Sequence, residues 1–175
     1  VILKLTSNIY NINQRAAWDA FSAHLAGSEA GLLLAISETE LSPTARQALD
    51  NSAKALGYGK GACTFACVQP ASASQDTPGE TAAPSLDAHS LKLLVEGIDP
   101  LALVASDAAA LQLVQQAYPD STFSPRQANA KRGACWFGSA LGRTVVAFER
   151  FEGMLGDAGD KQHAWALLKK LPHLD

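Results

Sequence analysis

Apolar residues fall into two kinds of pattern along the chain. Four short runs, at residues 31–36, 63–68, 101–105 and 143–148, are nearly continuous. Runs of that length with little alternation fit strands covered on both faces. Elsewhere apolar residues recur three and four apart, as on one face of a helix. Ala17, Trp18, Phe21 and Leu25 form such a stripe over residues 13–26, with Asn13 as N-cap and Gly27 as the stop. Ala45, Leu49, Ala53 and Leu56 form a second one behind Ser42-Pro43, a cap residue with proline at the first helical position, and Gly57 closes it. Leu91, Leu94, Val95 and Ile98 mark a third helix over residues 86–98. Ala164, Trp165, Leu168 and Leu171 mark a last one over residues 161–171, capped by Asp160.

Residues 99–118 read as one strand–turn–helix unit. Pro100 opens the strand, where no ladder donor is needed. Ser106 or Asp107 caps the helix, and Pro119 stops it. A short strand is expected at 134–137, a turn at 138–142 and a glycine-containing loop at 149–159. Residues 120–133 read as polar and irregular, and residues 1–12 fit either an edge strand or the start of a helix. Residues 69–85 are rich in Pro, Ala, Ser and Thr with only Asp76 and Glu80 charged, which predicts a flexible surface loop. Strands alternating with helices predict one α/β domain over residues 1–175, a three-layer α/β/α sandwich on a four-stranded parallel sheet. Ligands of such sheets bind beyond the carboxyl ends of the strands. Those ends are residues 37–40, 68–70, 106–107 and 148–151.

Composition narrows the function classes. A chain of 175 residues is long enough to bury roughly 70% of its unfolded surface. The net charge of −3 supplies no global attraction to nucleic acid or an anionic membrane. No apolar run approaches the roughly 20 residues needed to span a bilayer, and the first residues lack a signal-peptide pattern. Cys63, Cys67 and Cys135 contain no CxxC pair, so a reducing, cytoplasmic setting is expected. Cys63 and Cys67 would stand about 13 Å apart along one strand, too far for one tetrahedral ion. No metal or other cofactor is called for, and the four histidines are scattered.

The strand ends carry the candidate chemistry. Glu38 is the candidate base, and Glu40, Gln69, Asp107, Glu149 and Arg150 are candidate ligand contacts. Arg150 has the geometry to hold a phosphate or carboxylate bidentately. Each also has a plainer reading. Glu38 and Glu40 complement the helix dipole at Ser42, Asp107 caps a helix, and Glu149-Arg150 is a solvated pair. Arg126, Lys131, Arg132, Arg143 and Arg150 place five positive charges in residues 120–150 against Asp120 and Glu149. Lys131, Arg132 and Arg143 are the candidate nucleic-acid face, against a solvated loop. Gly57-Tyr58-Gly59-Lys60-Gly61 follows a helix and precedes a strand, the reverse of the order in a phosphate-cradling loop.

The order of elements over residues 31–171 resembles the uracil-DNA glycosylase superfamily. Residues 53–58 (Ala-Lys-Ala-Leu-Gly-Tyr) look like the end of its first helix. Residues 64–70 look like its second strand and the opening of its proline-rich loop. Residues 98–110 are similar to its third strand and helix. Lys161, Trp165 and Leu168 match its last helix. The resemblance implies strand order 2-1-3-4, a water-activating acid after the first strand, an Asn on the second and a His after the last. Glu38 stands for the acid. Ala66 stands near the Asn position, and Glu149-Arg150-Phe151 carries no histidine. Base excision requires flipping the base and reading its edge by hydrogen bonds. The expected function is therefore a divergent, non-catalytic domain of this fold, with DNA or a nucleotide-like ligand as partner. Two alternatives stay open: an active base-excision glycosylase with unconventional residues, and a Rossmann-like module for a nucleotide or small anion.

Overall fold

Helix capping punctuates the chain as its side chains dictate. The computed structural model describes residues 12–70, 83–126 and 133–174. Asn13 accepts from Ala16 N and opens α1 (Gln14–Ala20). Ser42 accepts from Ala45 N ahead of Pro43 and opens α2 (Pro43–Ala55). Asp87 opens α3 (Ala88–Ile98), and Asp107 opens α4 (Ala108–Ala117). Asp157, rather than Asp160, caps α5 (Ala158–Leu168), which a 3-10 turn at Glu152–Gly156 precedes.

The strands are β1 (Leu25–Gly27), β2 (Leu33–Ser37), β3 (Cys63–Cys67), β4 (Ala102–Ala105), β5 (Thr122–Arg126), β6 (Cys135–Ala140) and β7 (Arg143–Phe148). They form a single sheet in the order β1-β3-β2-β4-β7-β6-β5. This corrects the expected four-stranded parallel sheet: the sheet has seven strands and is mixed. Its centre, β3-β2-β4-β7, is parallel, and antiparallel strands extend it at both edges.

The added strands came from segments with weak or misleading patterns. Residues 13–26 were expected as one helix, but α1 stops at Ala20 and Leu25–Gly27 pairs with β3. Gly27, at φ 85°, lies so close to Cys63 O and the Phe65 ring that a Cβ would collide with both. The glycine thus serves a close strand approach and not a helix stop. Residues 120–133 were expected to be irregular, yet Thr122–Arg126 pairs with β6. β5 is a largely exposed edge strand, where Pro125 and a polar pattern are tolerated. Gly138 lets it approach, since a Cβ there would meet Thr122 O.

β6 runs on to Ala140, through the residues expected as a turn, and meets β7 in a two-residue hairpin. Leu141 and Gly142 both have positive φ, 48° and 80°. A type I′ turn requires that pair of conformations and favours Asn-Gly. Leu141 is 63% exposed, so its side chain gains little in return. Leu141→Asn should therefore raise stability by about 1 kcal/mol, read as a higher denaturation midpoint. An unchanged or lowered midpoint would show that the leucine is not strained.

Alternation along the central strands sends side chains to both faces. Leu33 and Ala35 of β2 pack with α2 and α5, while Leu34 and Ile36 pack with the layer of α1, α3 and α4. The result is three layers, helices on each side of the sheet, and all of β2 is buried. No helix among the described residues is long and apolar enough to cross a membrane. Most of the loop expected at residues 69–85 lies outside the described residues. Leu86 N bonds back to Val68 O at 2.9 Å, so its two ends lie side by side.

Arg143 begins β7 and is 9% exposed. Its guanidinium meets Glu96 Oε1 at 2.8 Å, Glu96 Oε2 at 3.3 Å, Asp99 Oδ1 at 2.9 Å and Pro100 O at 3.2 Å. Tyr118 donates to Glu96 Oε1 at 2.8 Å. Burial opposes the charge on Arg143, but the bonds to Glu96 and Asp99 outweigh it and hold the guanidinium above its ordinary pKa. Arg143 is accordingly removed from the expected nucleic-acid face. Lys131 and Arg132 lie outside the described residues.

Candidate functional site

The carboxyl ends of β2, β4 and β7 meet around one loop junction, which backbone bonds hold together. Ser106 N and Ser106 Oγ both donate to Ile36 O, at 2.9 and 3.0 Å. Phe151 N donates to Ser106 O at 2.9 Å. Asp107 and Arg150 form an isolated antiparallel bridge. The end of β3 joins through Gln69 N, which donates to Glu38 O at 2.8 Å.

A cleft of about 260 Å³ opens at this junction, lined by residues 39–41, 106–107 and 150–153. It is slightly smaller than the roughly 300–1,000 Å³ typical of small-ligand sites. Glu40, Asp107 and Arg150, expected as ligand contacts, are brought together here. Glu38, Gln69 and Glu149 are exposed and do not line the cleft.

Each lining carboxylate has a structural partner. Asp107 Oδ1 accepts from Ala110 N at 2.8 Å, as the cap of α4, and Oδ2 accepts from Glu38 N at 2.8 Å. Glu40 pairs with Arg46 at 2.6 Å. Glu152 Oε1 accepts from Ser42 N at 2.6 Å, tying the 3-10 turn to the start of α2. Glu149, outside the cleft, is also used: Oε2 accepts from Ala134 N at 2.7 Å.

Glu152 and Phe151 also line the cleft, and neither stands out as a site residue in the sequence. Phe151 is 1% exposed, and its ring centroid lies 5.1 Å from that of Phe148. It fills the space beside the last strand end, where the resemblance implies a histidine. An apolar residue one turn before a Gly-rich loop was the available signal. Ala66 is fully buried on the α1–α3–α4 face.

A second, smaller cleft of about 140 Å³ lies beside β1 and β3 and includes His24, Glu40, Arg46 and Cys67. His24 is buried and donates from Nδ1 to Cys67 O at 2.8 Å, because a carbonyl can only accept. Arg46 lies over the Phe65 ring, 5.3 Å from its centroid. Burial raises the Cys67 thiol above its usual pKa, and Glu40 adds to this while Arg46 opposes it. Cys63 is raised further, by burial and then Asp50, and Cys135 is pushed up to about 11 by burial and then Glu149. Among the described residues no three His, Cys, Asp or Glu side chains converge as a metal site.

The thiols differ in access. Cys63 and Cys135 are both 1% exposed, whereas Cys67 is half-buried at a cleft. Alkylation at pH 8 should modify Cys67 first and slowly, and reach all three only after denaturation. Mass mapping of the labelled peptides checks this, and early labelling of Cys63 or Cys135 would contradict it.

Fold and site together define an α/β protein with a mixed sheet and a small, carboxylate-rich cleft at the strand ends. No family model matches the chain, and no curated protein matches it.

Proposed function

We propose that this chain is a divergent, non-catalytic domain of the uracil-DNA glycosylase-like fold, whose strand-end cleft serves binding and not hydrolysis. The parallel order β3-β2-β4-β7 supports the fold resemblance. One observation carries the functional reading. Every carboxylate lining the cleft among the described residues is already engaged, Asp107 and Glu152 by backbone N–H groups and Glu40 by Arg46. A general base must reach the proton it removes, and Glu38, the candidate, is exposed and away from the cleft lining.

The charge balance supports a ligand other than a phosphate. Among the described residues, three carboxylates and the guanidinium of Arg150 line the cleft, and of these only Glu40 is paired with an arginine, Arg46. Such a wall repels anions. This favours a neutral or cationic ligand over DNA or a nucleotide.

The test is base excision. Single- and double-stranded DNA containing uracil should release no free base above the rate without protein. Release that Glu38→Ala abolishes would overturn the reading and favour an active glycosylase. DNA binding should also show no steep salt dependence, which counterion release would otherwise produce.

A further inference from the structure

A larger groove, about 560 Å³, lies between α2 and α5, with Phe151 and Leu155 in its wall. Its volume falls within the range of small-molecule sites. Ala48 of α2 and Ala164 of α5 both line it with small side chains. Trp165, which its spacing predicts to be buried, is half-buried and also lines it. Leu155 and Leu168 complete the apolar part of the wall.

The polar groups are few and sit on defined sides. On α2, Gln47 Nε2 donates to Asn51 Oδ1 at 2.9 Å. That bond leaves the Asn51 amide N–H groups and Gln47 Oε1 for an occupant. On α5, Lys161 begins the stripe that continues through Ala164, Trp165 and Leu168 at helical spacing. Lys161 is the only charged side chain among the described residues lining the groove. An anionic group is therefore complementary to it, whereas a cation would meet only the lysine's like charge.

We propose that this groove is a binding site for a small aromatic carboxylate. The flat apolar body lies against Trp165 and Leu155, and the carboxylate pairs with Lys161. A body of that kind gains most of its free energy from buried apolar area. Lys161 sets its charge preference, and Lys169, whose Nζ lies 5.6 Å from the Trp165 ring centroid, adds positive charge beside the groove. The proposal does not rest on the reading of the strand-end cleft, whose lining favours the opposite charge.

Naphthalene-2-carboxylate is a suitable probe, with 2-naphthalenemethanol as its neutral counterpart. Binding is followed on the Trp165 indole N–H signal by NMR. The chain has three tryptophans, and loss of one signal in Trp165→Phe assigns it. The carboxylate should give a saturable shift of that signal, and the alcohol should bind about tenfold more weakly. Lys161→Met should bring the carboxylate down to the affinity of the alcohol, and because Lys161 is exposed the variant keeps its fold. Ala48→Phe should block both probes. Equal binding of the two probes, an affinity unchanged by Lys161→Met, or no saturable shift of Trp165 up to about 1 mM probe would each overturn the proposal.

Discussion

Arg143→Ala should lower the free energy of unfolding by about 3–5 kcal/mol, the cost of leaving a buried charge without its partner. Glu96 is 6% exposed and accepts from both Arg143 and Tyr118. Without the guanidinium its carboxylate keeps one neutral donor in a dry site. Asp99, in the left-handed region at φ 54°, would lose its bond to Arg143 as well. The network joins α3, the α3–β4 link, the end of α4 and the start of β7, so its loss acts on the whole fold. Urea unfolding measures the effect. A double-mutant comparison sharpens it: Arg143→Met with Glu96→Gln should be less destabilised than Arg143→Met alone, because the neutral amide still accepts from Tyr118. A loss below about 1 kcal/mol for Arg143→Ala would place the pair in the class of exposed surface bridges.

Phe151→Ala should cost a similar amount, about 3–5 kcal/mol, from lost burial and the cavity left behind. Phe151 packs on Phe148 and also lines both the strand-end cleft and the α2–α5 groove. Its removal should join the two into one larger space with a mixed apolar and charged lining. Urea unfolding measures the loss, and a cost below about 1 kcal/mol would mean that the loops collapse into the vacated space.

Much of the fold was legible in the sequence. The runs at 101–105 and 143–148 became β4 and β7 almost unchanged, because a strand buried on both faces is nearly continuous in apolar residues, with only Arg143 and Thr144 polar at the start of β7. Ser42-Pro43 caps the helix it was expected to cap, and of Ser106 and Asp107 it is Asp107 that caps α4, since capping is a bond to the chain's own next turn. The edge strands were not legible. Leu25–Gly27 continues a helical stripe in sequence and β5 contains proline, and only their pairing partners make them strands. The candidate site was half legible. Glu40, Asp107 and Arg150 share the cleft because parallel strands bring their carboxyl ends to one side. Glu38 and Glu149 follow the same strands but remain outside it, since side-chain direction one residue past a strand depends on the loop.

The sequence by itself determined the central strands, the helix starts and the α/β class, because periodicity and caps act over a few residues. Only the tertiary structure decided the mixed seven-stranded sheet, the cleft's charge balance and the fate of Arg143. Arg143 looked like one of five cations on a polar loop. Its partners Glu96 and Asp99 lie 47 and 44 residues earlier in the chain. No local pattern records a contact at that separation, because it exists only once α3 has packed across the sheet and the start of β7 has been brought beneath it.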